Sequence, residues 1–213
     1  MNALIFDLDN CLAPADEMGR AFYEPVYTAI RAENHGVVAE AELVAAFEEC
    51  WRTPFDKVAE THGFTEAMRA AGWACFSQLE VTEPMNGYGD LNVLGRMSQP
   101  LFLVTSGFKR LQWSKVRALG LEQWFDEIYV DAIDAGGGEG KRPLFERILR
   151  AHGLKATDVV AVGDSETAEL AVGRQLGMAT IQTLRPGVRR TELATAHIET
   201  LFELETIQER LSS

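Results

Sequence analysis

Leu4-Ile5-Phe6 is an apolar run that ends abruptly in two aspartates, Asp7 and Asp9, separated by a single leucine. Such a run reads as a buried strand giving way to a loop. Side chains along an extended strand alternate faces with period two, so Asp7 and Asp9 are expected to project to the same side where the strand ends. Two carboxylates can then share one small site. The pairing suits phosphoryl transfer, in which one ionised carboxylate attacks phosphorus while a second group protonates the leaving oxygen and later activates water. Like charges this close raise one partner's pKa unless an oxygen-seeking cation such as Mg²⁺ keeps both ionised. Taken alone, an Asp-x-Asp at a strand end also fits a solvated turn.

Three further segments follow in order. Leu101-Phe102-Leu103-Val104 is a second apolar strand that runs into Thr105, Ser106 and Gly107, a hydroxyl residue followed by two small residues whose backbone N–H groups could face an anion. The same residues also fit a plain strand leading into the cap of a helix that begins near Lys109. Lys141 comes after the glycine run 135–140 and just before Pro143, where it can reach a phosphate as a mobile point charge or sit on the surface of a flexible loop. A P-loop is excluded, because its pattern needs glycine at 135 and Ser or Thr at 142, and those positions hold Ala135 and Arg142. Val159-Val160-Ala161-Val162-Gly163 is a third buried strand ending in Asp164, with Glu169 at the start of a helix marked by Ala168, Ala171, Val172 and Leu176. Asp164 would complete a metal site, with Glu169 orienting water or the lysine from behind it; alternatively Asp164 and Ser165 cap that helix.

In order and spacing, these four segments resemble the four motifs of the haloacid dehalogenase-like hydrolase superfamily, and the resemblance covers most of the chain. It implies an α/β fold with a Rossmann-like, mostly parallel sheet, helices on both faces and a small α-helical cap domain. It implies Asp7 as the phosphorylated nucleophile, Asp9 as general acid and base, and Mg²⁺ held by Asp7, the backbone carbonyl of Asp9, and Asp164. Thr105, Ser106 and Gly107 would bind the phosphoryl oxygens, and Lys141 would offset the charge on nucleophile and phosphate. Two departures stand out. Cys11 replaces the usual Thr, and the last acid is Glu169 rather than Asp, one residue later than usual, so a water-mediated contact of Glu169 with the metal is expected. Asn10 after Asp9 resembles a variant found among nucleotidase-like members.

Between Asp9 and Thr105 the sequence carries helical patterns and almost no strand signal. Leu43, Phe47 and Trp51 form one stripe, and Met68, Ala71, Cys75 and Leu79 another. Pro25 should kink its helix or start a new one. Residues 14–84 are expected to form the cap, which in the family closes over the site and selects substrate, and residues 1–13 and 85–213 the core. After the cap, strand and helix alternate. Leu91, Leu94 and Met97 suggest a helix before the Thr105 strand, and another starts at Pro143 and ends at Gly153. The aspartates and Thr105 then all lie at carboxyl ends of strands, where open sheets of this kind bind ligands. The glycine run is expected to give Lys141 freedom.

Twenty basic against 32 acidic residues give a net charge of −12, which argues against a nucleic-acid backbone or an anionic membrane as main partner. A small phosphorylated metabolite is the expected partner, because local charges outweigh a diffuse surface field screened over about 8 Å at physiological salt. Cys11, Cys50 and Cys75 are widely spaced and lack a Cys-x-x-Cys pair, so free thiols in a reducing cytoplasm are expected. The sequence shows neither a basic leader nor an apolar run long enough to span a bilayer. Its four histidines have no ligand spacing, and its four tryptophans read as packing.

The expected function is a Mg²⁺-dependent phosphatase acting on a small phosphomonoester (a nucleotide, sugar phosphate or phospho-acid) through an aspartyl-phosphate on Asp7. Asp9 favours this over a dehalogenase, because a departing halide needs no proton. A phosphomutase on the same motifs and a non-catalytic binding or regulatory protein of the same fold are the alternatives.

Overall fold

The structure is a computed structural model that describes residues 2–136 and 138–211, with side chains described up to residue 207. Six strands form one sheet in the order β3-β2-β1-β4-β5-β6: β1 Ala3–Phe6, β2 Leu101–Gly107, β3 Glu127–Ala132, β4 Val159–Gly163, β5 Ala179–Thr183 and β6 Ala196–Ile198. Every pairing is parallel, which goes beyond the mostly parallel sheet expected. A sheet of this kind must be covered on both sides, and the alternation of β1 shows how. Leu4 and Phe6 join Leu103, Val162 and Val116 on one face, whereas Ala3 and Ile5 join Val104, Ala161, Phe145 and Ile148 on the other. Helix α5 (Lys109–Ala118) therefore covers the first face, and α6 (Arg142–Ala151) the second.

Four helices fill the segment between β1 and β2: α1 Arg20–Ala32, α2 Glu40–Glu49, α3 Phe55–Thr61 and α4 Glu66–Phe76. Helix α1 buries Tyr23, Val26, Tyr27 and Ile30, an i, i+3, i+4, i+7 stripe, and Tyr27 stacks on Phe47 of α2 at 4.2 Å between ring centroids. Pro25 neither interrupts α1 nor starts a new helix. The buried apolar face on the neighbouring turns holds the helix together despite the missing N–H donor.

The apolar faces of α4 and of α7 (Glu169–Leu176) are turned relative to expectation. Helix α4 buries Met68, Gly72 and Phe76, leaving Ala71 and Cys75 half-exposed. Gly72 is what brings α4 close to its neighbours, because a Cβ there would lie 2.4 Å from Phe55 Cζ and 3.0 Å from Ile30 Cδ1. In α7 the buried face is Glu169, Leu170 and Gly173, with Ala171, Val172 and Leu176 at its margin, because the glutamate is drawn inward by charged partners. In α2, Leu43 and Phe47 are buried as expected, but Trp51 lies beyond the helix end.

Leu91, Leu94 and Met97 do not mark an α-helix. Leu91–Arg96 is a 3₁₀ helix, and Met97 is already extended. Their three-residue spacing is the period of a 3₁₀ helix, on which i and i+3 eclipse. Helix α6 begins as expected, with Pro143 in its first turn, where a missing N–H costs nothing. The C-terminal helix, α8, spans Leu204–Leu211. Among the described residues no helix is long and apolar enough to cross a membrane.

Candidate active site

The chain builds β1, β2 and β3 outward in one direction and then returns to place β4, β5 and β6 on the other side of β1. The crevice of such a sheet opens where the order reverses, beyond the carboxyl ends of the central strands. Asp7 follows β1 directly, Thr105, Ser106 and Gly107 close β2, and Asp164 follows β4. Register pairs Phe6 with both Leu103 and Val162, so Asp7 emerges between the Thr105 and Asp164 strands. All five residues, together with Asp9, Lys141 and Glu169, line one cavity of about 170 Å³.

Asp7 and Asp9 both open into that cavity, and they are tethered by elements that cover opposite faces of the sheet. Strand β1 ends at Phe6, and beyond Asp7 the chain curls so that Asp9 bridges to Ala13. Asp7 Oδ1 lies 2.6 Å from Lys141 Nζ at the start of α6. Asp9 Oδ1 lies 2.7 Å from Lys115 Nζ on α5, and its Oδ2 accepts from Gln112 Nε2 at 3.1 Å. Sequence reasoning missed Lys115 and Gln112. The signal was a Gln and a Lys three residues apart on the helix that leaves the Thr105 strand, but charges on that helix otherwise read as solvated.

Lys141 is buried and fixed, contrary to the mobile charge expected. Its Nζ is shared between Asp7 and Glu169 Oε2, the latter at 2.8 Å. Positive φ at Gly136, Gly138 and Gly140 lets the loop turn back and deliver the lysine at the helix N-cap. Burial pulls the Lys141 pKa down, but the facing Asp7 and Glu169 carboxylates more than offset this and raise it. Glu169 Oε1 also accepts from Ser165 N at 2.6 Å. It fits beneath the end of β4 because residue 163 is glycine: a Cβ there would lie 2.3 Å from that oxygen. Glu169 therefore holds the lysine and the Asp164-Ser165 turn. Neither Asp164 nor Ser165 caps α7, whose N-cap is Ala168.

Thr105 is buried, and its hydroxyl donates to Gln112 Oε1 at 3.3 Å. The Ser106 hydroxyl donates to Asp131 Oδ2 at 3.2 Å, which leaves its backbone and that of Gly107 as the cavity wall. Gly107 has φ 147°, and a Cβ there would come 2.7 Å from Gln112 Nε2. Asn10, at φ 57°, donates to Trp51 O at 3.3 Å and accepts from Ala15 N at 3.3 Å, tying the loop after the aspartates to the helical segment. Cys11 is fully buried with Sγ 3.8 Å from Val162 O. It packs beneath the site and points no hydroxyl at it. Burial raises its thiol pKa, which makes it inert.

The helical segment supplies the opposite wall. Phe76 stacks on Phe108, the residue after Gly107, at 5.1 Å, and Trp73 meets the same ring edge-on at 5.0 Å. Arg52 brings a cation to the rim of the cavity.

The donor set fits a hard divalent cation. One carboxylate oxygen from each of Asp7, Asp164 and Glu169 lies within 4.8 Å of the others. Burial, with added repulsion from Glu169 and Asp9, pushes Asp7 up to about 7 despite Lys141, and burial with Asp7 and Glu169 pushes Asp164 up to about 8. With Glu169 committed to Lys141 and Ser165, the side-chain oxygens of this cluster left for a cation are those of Asp7, whose Oδ1 also meets Lys141, and of Asp164. Without a cation the fold keeps protons that the unfolded chain, with carboxylates near 3.8, has already released. The contribution of these two groups to stability therefore falls as pH rises from about 4 to about 8. A cation replaces those protons. Mg²⁺ should raise the melting temperature more at about pH 8 than at about pH 5, and equal shifts, or none, would show that this cluster takes no cation.

An open parallel sheet with acids, a hydroxyl and a buried lysine gathered at its switch point defines a Rossmann-like α/β protein with a carboxylate cluster at its ligand-binding edge. The chain belongs to the haloacid dehalogenase-like hydrolase family, whose sequence profile matches residues 1–177. It is 32% identical over 92 residues to the glyceraldehyde 3-phosphate phosphatase of Methanocaldococcus jannaschii, a match covering 43% of this chain and only 40% of that protein. The Methanopyrus kandleri protein of the same name is 24% identical over 198 residues, 87% of this chain and 84% of the relative. In fold the chain resembles the HAD phosphatase of Thermococcus onnurineus, with TM-score 0.66, 22% identity and 98% of each chain covered. It also resembles the magnesium-bound HAD hydrolase YfnB of Bacillus subtilis, with TM-score 0.61, 22% identity and 97% of each chain covered.

Proposed function

We propose that this protein is a Mg²⁺-dependent phosphomonoesterase that works through an aspartyl-phosphate on Asp7, with Asp9 as general acid and base. The observation that carries the reading is the pairing of Asp7 with Lys141 and Asp164 while Asp9, in the same cavity, is held by a different helix. Two carboxylates given separate partners are suited to separate tasks. Asp7 attacks phosphorus, forming an O–P bond as the ester P–O bond breaks, and the departing oxygen takes a proton from Asp9. Water then attacks the phosphorus of the acyl phosphate and gives a proton to Asp9, which frees the Asp7 carboxylate. Lys141 and Thr105 bind phosphoryl oxygens, with the backbone of Ser106 and Gly107. Mg²⁺, held by Asp7, the backbone carbonyl of Asp9 and Asp164, would neutralise charge on the phosphoryl group.

We read residues 14–84 as a cap over this site, because Tyr23, Trp51, Phe55 and Phe76 reach the cavity from that segment. Cavity size narrows the substrate. A cavity of about 150 Å³ holds a molecule the size of benzene, so about 170 Å³ suits a phosphate with a body of a few carbons better than a nucleotide. The glyceraldehyde 3-phosphate phosphatases among the relatives carry a name of that size class. Three unpaired cysteines agree with a reducing cytoplasm.

Phosphate release from triose, sugar, small-acid and nucleoside monophosphates, with Mg²⁺ and with EDTA, tests this reading. We expect metal-dependent release, at least about tenfold faster in kcat/KM for the smallest esters than for nucleotides. Absence of release from every ester would remove the phosphatase reading and favour a mutase or a binding protein.

A further inference from the structure

Helix α5 presents two polar side chains, Gln112 and Lys115, on one face, three residues apart, and both are buried, at 5% and 3% exposure. A lysine is almost never this buried unless it is paired, and the carboxylate it meets is Asp9. Together the two residues engage both oxygens of Asp9: Lys115 Nζ takes Oδ1 at 2.7 Å and Gln112 Nε2 takes Oδ2 at 3.1 Å. The amide of Gln112 is itself fixed, since its Nε2 also donates to Ser106 O at 3.3 Å and its Oε1 accepts from the Thr105 hydroxyl. Its orientation is thus set by the strand that supplies the phosphate-binding hydroxyl. Gly107 leaves the room this needs.

We propose that Gln112 and Lys115 are positioning residues: a two-point clamp from α5 that aims the Asp9 carboxylate at the leaving oxygen and keeps it apart from Asp7. This rests on the phosphatase reading above and adds to it the residues that direct the proton. With one lone pair on each oxygen taken by the clamp, the carboxylate plane is fixed and the remaining lone pairs face the cavity. Proton transfer then occurs at one geometry, in which Asp9 gives its proton to the alkoxide as the P–O bond breaks and later takes one from the attacking water. Gln112 also couples this aim to the end of β2, through Ser106 O and the Thr105 hydroxyl, so that the acid and the strand end that binds phosphate move as a unit.

A clamp that serves proton delivery has a signature that a merely structural contact lacks, namely dependence on the leaving group. An alkyl ester such as β-glycerophosphate departs as a strong base and needs the proton, whereas p-nitrophenolate departs without it. In Lys115→Met and in Gln112→Leu, turnover of β-glycerophosphate should fall about 100-fold at nearly constant KM. The first-turnover burst of nitrophenolate should slow by less than about tenfold and be followed by slow steady turnover, because attack by water still needs Asp9. Lys115→Arg, which keeps a donor on Oδ1, should recover most of the loss. Equal losses in β-glycerophosphate turnover and in the nitrophenolate burst, or wild-type kinetics in both variants, would overturn the clamp. Gln112→Leu strands no charge, so it decides the matter if Lys115→Met fails to fold. If the wild-type protein hydrolyses neither ester, the phosphatase reading falls instead, and the two failures are distinct.

Discussion

Asp7→Asn should lower phosphate release by at least about four orders of magnitude, to the background of the assay, while leaving a folded protein. The amide has almost the shape of the carboxylate but no charge with which to attack phosphorus. The fold should tolerate the change, because Lys141 keeps its partner Glu169 at 2.8 Å. Burial and neighbouring acids already push Asp7 up to about 7, so above that pH its ionisation works against the fold, and a neutral residue removes the cost. The metal-free variant should therefore melt at or above the wild-type temperature near pH 8. The added stabilisation by Mg²⁺ should shrink at the same time, because one of the two charged side-chain ligands becomes a neutral amide. Calorimetry with and without Mg²⁺, beside phosphate release, checks all three. Hydrolysis by the variant at the wild-type rate would remove Asp7 as nucleophile whatever happened to the melting curve.

Arg185→Met should cost about 3–5 kcal/mol of stability. Arg185 and Asp90 are paired at 2.8 Å with side chains 4% and 3% exposed. The guanidinium also donates to Cys11 O at 3.0 Å and to Glu199 O at 2.9 Å, and it lies over the Tyr88 ring at 4.3 Å. It thereby ties the loop after the Asp-x-Asp pair to the segment that returns from the helical insertion. Removing it leaves a buried Asp90 charge whose remaining partner is the Leu201 amide at 2.9 Å. The cost arises from stranding that charge, so removing both should recover much of it. In urea unfolding, Arg185→Met with Asp90→Leu should be more stable than Arg185→Met alone. A single variant within about 1 kcal/mol of wild type would show that the pair is dispensable.

Asp7, Thr105 and Asp164 were legible in the sequence because each stands at the end of an apolar run, and Lys141 because it stands between a glycine run and a helix start marked by Pro143. The parallel sheet was legible for a related reason: strands covered on both faces must be apolar at consecutive positions, as in Val159-Val160-Ala161-Val162. Lys115 was not legible. In the sequence it sits among Lys109, Arg110 and Arg117, which are exposed, and only the packing of α5 against the sheet turns it inward. Arg185 and Asp90 lie 95 residues apart, with nothing local to announce their meeting. The faces of α4 and α7 were misread for a different reason. Small residues such as Gly72 and Gly173 look neutral in a hydrophobic pattern, yet they mark the closest approach between elements.

The sequence by itself determined which acids and hydroxyls stand at strand ends, because strand period and residue chemistry are local properties. Tertiary structure decided which cation each acid meets. Asp7 and Asp9 are two residues apart, yet one is held from α6 and the other from α5, on opposite faces of the sheet. Partner choice among buried charges follows from which helices are brought against the end of the sheet, and burial strengthens whichever pairing that packing permits.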